Sequence, residues 1–174
     1  MYSRSCYYSS VLISELYHPH AITISEEATV VEALEVFLSK KVNGLIVTNT
    51  DEQVVGVLAL QDIAAATIPR QFRHNVQMAA AMYRPGFFSD TCAEIVDTKV
   101  QKIMRKNFTI VSLSDNIMAV TADFLKNDLY IVPVIEKGEL LGVVTRSEIK
   151  KALAYGMRLP KYYNEYKASA DKKT

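Results

Sequence analysis

Apolar and polar positions along this 174-residue chain pass through the same series of periods twice. Residues 22–63 and 109–149 run in step at an offset of 87 positions, so Ser25 falls on Ser112, Phe37 on Phe124, Leu38 on Leu125 and Val47 on Val134. The second copy is one residue shorter in the turn after Thr48, beyond which Gly56 meets Gly142, Val57 meets Val143 and Ile63 meets Ile149. Such a repeat takes precedence over local readings, because missing it miscalls the whole fold. Each copy opens with a short β-branched strand, residues 22–24 and 109–111. A helix follows, in which Val30, Ala33, Leu34, Phe37 and Leu38 share one face, as do Ile117, Val120, Phe124 and Leu125. Two more strands come next, 44–48 with 54–58 and 131–135 with 140–145. Polar turns at 49–53 and 136–139 join them, the second containing Gly138. A last helix begins near Asp62 in one copy and near Glu148 in the other. The spacing predicts an α+β fold of two β-α-β-β-α units, each too small to bury both faces of its sheet alone.

The segments around the copies set the organisation. The first repeat takes residues 11–68, a helical insertion 69–99, the second repeat 100–154 and a tail 155–174. Pro69 ends the first copy's last helix, and residues 70–83 form a helix-compatible stretch carrying Phe72, Val76, Ala79, Ala80 and Tyr83. Arg84, Pro85 and Gly86 break it, and Ser89 is placed to cap a further helix running through Ile103. An insertion this long has room for a dimer contact or a lid; a helical hairpin packed on the outside is the plainer alternative. The tail, with Pro160, Tyr162, Tyr163 and Tyr166 before a lysine-rich end, should start ordered and finish frayed.

Composition narrows the class. Hydrophobic residues make up 49% and charged ones 22%, as in a folded globular protein. A net charge of +1 gives no overall pull towards nucleic acid or anionic membrane. No secretory leader pattern opens the chain, and no apolar run approaches the roughly 20 residues needed to cross a bilayer. Cys6 and Cys92 stand alone, which suits a reducing, cytoplasmic setting and gives neither a disulfide framework nor a zinc site. His18, His20 and His74 share no metal-ligand spacing, and nothing orients Cys92 and His74 as nucleophile and base. Neither a metal nor a catalytic residue is expected. Arg70, Arg73 and Arg84 with Phe72 and Tyr83 read as a solvated helix face rather than a nucleic-acid footprint.

Candidate chemistry gathers where the third strand of each copy enters the last helix. In the second copy Thr145 ends the strand, and Arg146, Ser147 and Glu148 open the helix. A helix N-terminus favours phosphate, two hydroxyls add donors, and Arg146 adds a charge-assisted contact. Glu148 suits a vicinal ribose diol, which a carboxylate can accept from twice. The same Thr-x-x-Glu spacing is also a capping box, in which Glu148 reaches back to the N–H of its cap. The first copy keeps an acid at Asp62 but has Ala59 where the hydroxyl belongs, so no capping box accounts for the acid, which complements the helix dipole.

The unit order, and above all GVVTRSEI at 142–149 after IVPV at 131–134, resembles the cystathionine-β-synthase (CBS) domain. The two copies together resemble a CBS pair, or Bateman module, over residues 11–153 apart from the insertion. The resemblance implies two repeats related by a pseudo-twofold, with adenosyl ligands bound in the cleft between them through a Ser/Thr-x-x-Asp motif. That role falls on Thr145 and Glu148, with glutamate in place of aspartate, and on Asp62. Since neither copy has the full motif, one occupied site is expected rather than two. Family members recognise the base on the first strands, here Ile22 with Thr23 and Thr109 with Ile110. Asn43 and Tyr130 precede the second strands, and Val132 and Pro133 are expected to line the cleft, Ile46 replacing the proline in the first copy. The implied function is non-catalytic: a regulatory sensor of AMP, ADP or ATP that requires no cofactor and signals to a protein partner. S-adenosylmethionine or a cyclic dinucleotide are the other ligands admitted. A homodimer stacked through helical faces is implied as well. The alternative is a ligand-free interaction module whose clefts have decayed.

Overall fold

Thr29 shows how the first copy's main helix is started. Its hydroxyl accepts from the Glu32 N–H at 3.3 Å, and the Glu32 carboxylate accepts from the Thr29 N–H at 2.6 Å. This capping box satisfies two donors that a helix start otherwise leaves open. In the computed structural model, which describes residues 11–69, 72–73, 75–81 and 84–159, the helix it opens is Val30–Lys40 (α2). Lys41, in the left-handed conformation at φ 54°, ends it. The described chain divides into two compact units, one of residues 21–108 and one joining residues 11–20 to 109–159.

In the first unit Thr23–Ser25 (β1) lies parallel to Gly44–Thr48 (β2), which pairs antiparallel with Val54–Ala59 (β3). Asn49 shapes the β2–β3 turn, its Oδ1 accepting from the N–H groups of Asp51 and Gln53. Leu60–Thr67 (α3) follows β3. The core joins Ile24, Ala33, Phe37, Leu45, Leu58 and Ile63 to Val100 and Met104. Val100 belongs to a four-residue helix, Val100–Ile103 (α6), that sequence periodicity did not separate. The insertion holds two helices, Val76–Ala81 (α4) and Phe87–Ile95 (α5). Ser89 lies inside α5 and does not cap it, and the expected helix to Ile103 is interrupted. The cause is backbone pairing: Val30 N–H donates to Thr98 O at 2.9 Å and Val100 N–H to Ala28 O at 2.8 Å, which pulls the strand-like residues 98–99 out of helical geometry.

In the second unit Ile117–Lys126 (α7) precedes Ile131–Glu136 (β4) and Glu139–Thr145 (β5), an antiparallel pair, and then Arg146–Gly156 (α8). Lys137 and Gly138 turn β4 into β5 with positive φ at both positions. Ile13–Leu16 (α1) joins this unit's core, with Ile13 fully buried beside Leu16, Val120, Phe124, Val132 and Val144. The expected first strand at 109–111 is reduced to one parallel bridge between Val111 and Val134. Proline explains the loss. In the first unit Ile46 N–H donates to Ile22 O at 3.0 Å. The matching positions are Pro133 and Thr109, and Pro133 has no N–H to give.

Two further readings are corrected by exposure. Leu38 and Leu125, placed on the buried faces of their helices by spacing, are 70% and 81% exposed. Residues 70, 71, 74, 82, 83 and 160–174, and with Cys6 the first ten, lie outside the described residues. The expectations for Arg70, His74, Tyr83 and the tyrosine-bearing tail therefore find no structural counterpart here.

Candidate functional site

At the β5–α8 junction Thr145 is the N-cap. Its Oγ1 accepts from the Ser147 N–H at 3.1 Å and donates to Glu148 Oε2 at 2.6 Å, and its own N–H also donates to Oε2, at 3.0 Å. Lys151 Nζ approaches Glu148 Oε1 at 3.2 Å. Glu148 is 2% exposed. The capping-box reading therefore describes this acid as it stands, with both carboxylate oxygens engaged inside its own helix.

Arg146 and Tyr130 come together. The guanidinium lies 4.2 Å from the Tyr130 ring centre, a cation–π distance. Asp128, which sequence reasoning missed, ties the two: Arg146 Nη2 donates to its Oδ1 at 3.1 Å and the Tyr130 hydroxyl to its Oδ2 at 3.3 Å. The arrangement is a solvent-facing plate carrying one positive charge, held by a surface ion pair of small energetic weight. Ser147 is exposed beside it.

Thr109 and Ile110 sit on the edge left incomplete by Pro133. Among the described residues no donor reaches the Thr109 carbonyl, and Ile110 is 53% exposed. The Thr109 hydroxyl is spent on Asp123 Oδ2 at 2.5 Å. Val132 and Pro133 are buried in the sheet, so neither presents an exposed side chain.

The first unit's acid is differently engaged. Asp62 Oδ2 accepts from the Ala59 N–H at 2.8 Å, so the acid does cap α3, as half of a box, contrary to its expected freedom from capping. Its Oδ1 accepts from Arg105 Nε at 2.8 Å. Arg105 was also missed; the signal that could have found it is the 87-residue offset carried upstream, which sets Ile13 on Val100 and His18 on Arg105. Asn43 is exposed, with its carbonyl accepting from Leu60 N–H at 3.2 Å, while Ile22 is half-buried and Thr23 exposed.

Elsewhere, a cavity of about 230 Å³ opens where the end of α3 meets α4 and α5, lined chiefly by Ile68, Pro69, Phe72, Phe87 and Phe88. Its two hydroxyls, of Thr67 and Thr91, donate to Ala64 O and Phe88 O, which leaves an apolar lining. Among the described residues no group of three or more His, Cys, Asp or Glu could hold a metal ion, and no helix is long and apolar enough to cross a membrane. His18 and His20 form an exposed turn in which the His20 N–H lies 3.2 Å from His18 Nδ1.

Comparison with known proteins bears on all of this. The family model of the CBS domain matches residues 13–68 and 100–155. An uncharacterized protein of Methanocaldococcus jannaschii is 21% identical over 141 residues, covering 81% of this chain; the chain spans only 42% of that relative's length. The solved structure of a CBS-domain-containing protein from Agrobacterium tumefaciens superposes with a TM-score of 0.64 at 18% identity, covering 87% of this chain and 98% of that one. The CBS domain pair of protein MJ0100, solved with 5-methylthioadenosine and S-adenosyl-L-methionine, gives 0.62 at 18% identity, covering 83% and 96%.

Proposed function

The chain belongs to the CBS-domain family as a tandem pair, and on that premise we propose that it is a non-catalytic regulatory module that binds an adenine nucleotide and signals to a protein partner. The observation that carries this reading is the broken ladder at Pro133. A carbonyl acceptor at Thr109 stands beside exposed Ile110, the pairing that an adenine amine and ring face require. Arg146, stacked on Tyr130, supplies a charge for phosphate. AMP, ADP or ATP fit the donors and acceptors of this unit. The other unit has a separate half-site, in which Asp62 retains lone pairs for a ribose diol beyond the two hydrogen bonds it accepts. The adenosyl ligands named with MJ0100 support an adenosyl class more broadly.

A second reading, the ligand-free interaction module, draws on one specific observation: Asp62 and Glu148 both already have protein partners on both oxygens. Thermal shift separates the two. A millimolar adenine nucleotide should raise the melting temperature, and Pro133→Ile or Arg146→Ala should reduce the rise. If no adenine nucleotide, S-adenosylmethionine or cyclic dinucleotide moves the transition, the sensor reading is lost and the interaction module stands. A homodimer is part of the proposal, supported by the exposed apolar residues at matching positions of α2 and α7.

A further inference from the structure

The first unit neutralises its acid with a residue from outside the β3–α3 junction. Arg105, just after α6, is fixed by backbone pairing to Val57, with Val57 N–H to Arg105 O at 3.1 Å and the reverse bond at 2.9 Å. This delivers Nε to Asp62 Oδ1, in a pair whose side chains are 32% and 12% exposed for Arg105 and Asp62. Among its described residues the second unit has no such pair. The matching position is His18, whose ring contacts the His20 backbone, and Glu148 takes its cation from Lys151 on its own helix. We propose that Arg105 cancels the charge of Asp62 and so admits a 5′-phosphate to the first unit's half-site, where the acid alone would select a 5′-sulfonium. The inference rests on the adenosine-binding reading above.

The effect is Coulombic. An unpaired Asp62 would place one negative charge beside a bound ribose. Two unit charges roughly 6 Å apart at an effective dielectric of about 20 alter an affinity by on the order of 100-fold. An acid alone would therefore repel a 5′-phosphate and attract a sulfonium cation. With the guanidinium 2.8 Å from the acid the local charge cancels, the repulsion is removed, and a cation gains nothing. A neutral thioether should be indifferent to the pair.

The test is a titration of the full-length, ¹⁵N-labelled chain with AMP, methylthioadenosine and S-adenosylmethionine, following the amides of residues 59–63 as reporters of this half-site alone. We expect the saturating concentration of S-adenosylmethionine divided by that of AMP to lie within about tenfold of one. Arg105→Gln, which keeps a donor for Asp62 and loses the charge, should cut that ratio about tenfold or more and leave methylthioadenosine within about threefold; Arg105→Lys should preserve it. Asp62→Asn should move the ratio the opposite way, and it decides the matter should Arg105→Gln fail to fold. A ratio unchanged in both variants overturns charge selection while leaving adenosine binding intact. If none of the three ligands moves these amides in the unaltered chain, the adenosine reading of this half-site falls, and charge selection falls with it.

Discussion

Single atoms decide much in this molecule, and the two equivalent glycines show it. A Cβ at Gly142 would lie 2.1 Å from the carbonyl oxygen of His18, a backbone atom pinned by the His18–Val143 bridge. A Cβ at Gly56 would meet Met104 Sδ at 2.7 Å, the end of a flexible side chain, and the Arg105 carbonyl at 3.1 Å. Gly142→Ala should therefore cost stability at or beyond the upper end of the roughly 1–3 kcal/mol typical of overpacking, and Gly56→Ala nearer the lower end, in urea denaturation. Methyl groups of similar cost at both sites would disprove the distinction. Glu32 offers a pH test on the same scale. The Thr29 N–H, then its hydroxyl, hold the carboxyl below the ordinary glutamate range. A depressed folded value means the contribution is present above the unfolded pKa and fades as pH falls through the folded one. NMR titration should find Glu32 ionising below a free glutamate, and Thr29→Ala, which keeps the N–H but loses the hydroxyl, should return it only part of the way upward.

At the scale of elements, a missing N–H separates two strands that the repeat makes equivalent. Pro133→Ile restores the donor that Ile46 supplies in the first unit, so the ladder should extend one step to Thr109. The new amide at position 133 should then resist hydrogen exchange, and adenine nucleotides should bind more weakly because their acceptor is taken. Unprotected exchange there would show that the proline is not what ends the pairing. The order of the main strands and helices, the Thr145–Glu148 capping box and most of the helix-face core were legible in the sequence, because period and cap chemistry are local. The lost strand followed from a proline visible at 133, but only once the partner of that position was known. The repeat offset marks Arg105 as the counterpart of His18, but its role was not legible, since that depends on which strand its backbone joins, a pairing 48 residues distant from Val57. Asp62 and Glu148 were read as ligand acids; helical spacing puts Lys151 within reach of Glu148, but nothing local places Arg105 at Asp62.

For the whole molecule, the repeat is longer than its strands and main helices. Ile13 and Val100 are both fully buried, α1 and α6 are both four residues long, and His18 and Arg105 make the same antiparallel bridge one residue after a glycine. Yet each lead-in packs in the unit of the other copy: residues 11–20 complete the unit of the second, and residues 100–105 that of the first. Removing the first twenty residues should therefore strip Ile13 and Leu16 from the core containing Phe124 and Val144, although they are far from it in sequence. The same equivalence bears on assembly. Val31 and Met118 match across the copies, as do Leu38 and Leu125, and all four are exposed on α2 and α7. Apolar residues left out of both cores at matching positions are what a repeated interface between chains needs. Leu38→Asp combined with Leu125→Asp should leave the melting temperature of the monomer nearly unchanged, because neither side chain is buried, while shifting sedimentation from dimer to monomer at micromolar concentration. A double variant that still sediments as a dimer, or an unaltered chain that is monomeric throughout that range, would place assembly elsewhere and leave these leucines without that role.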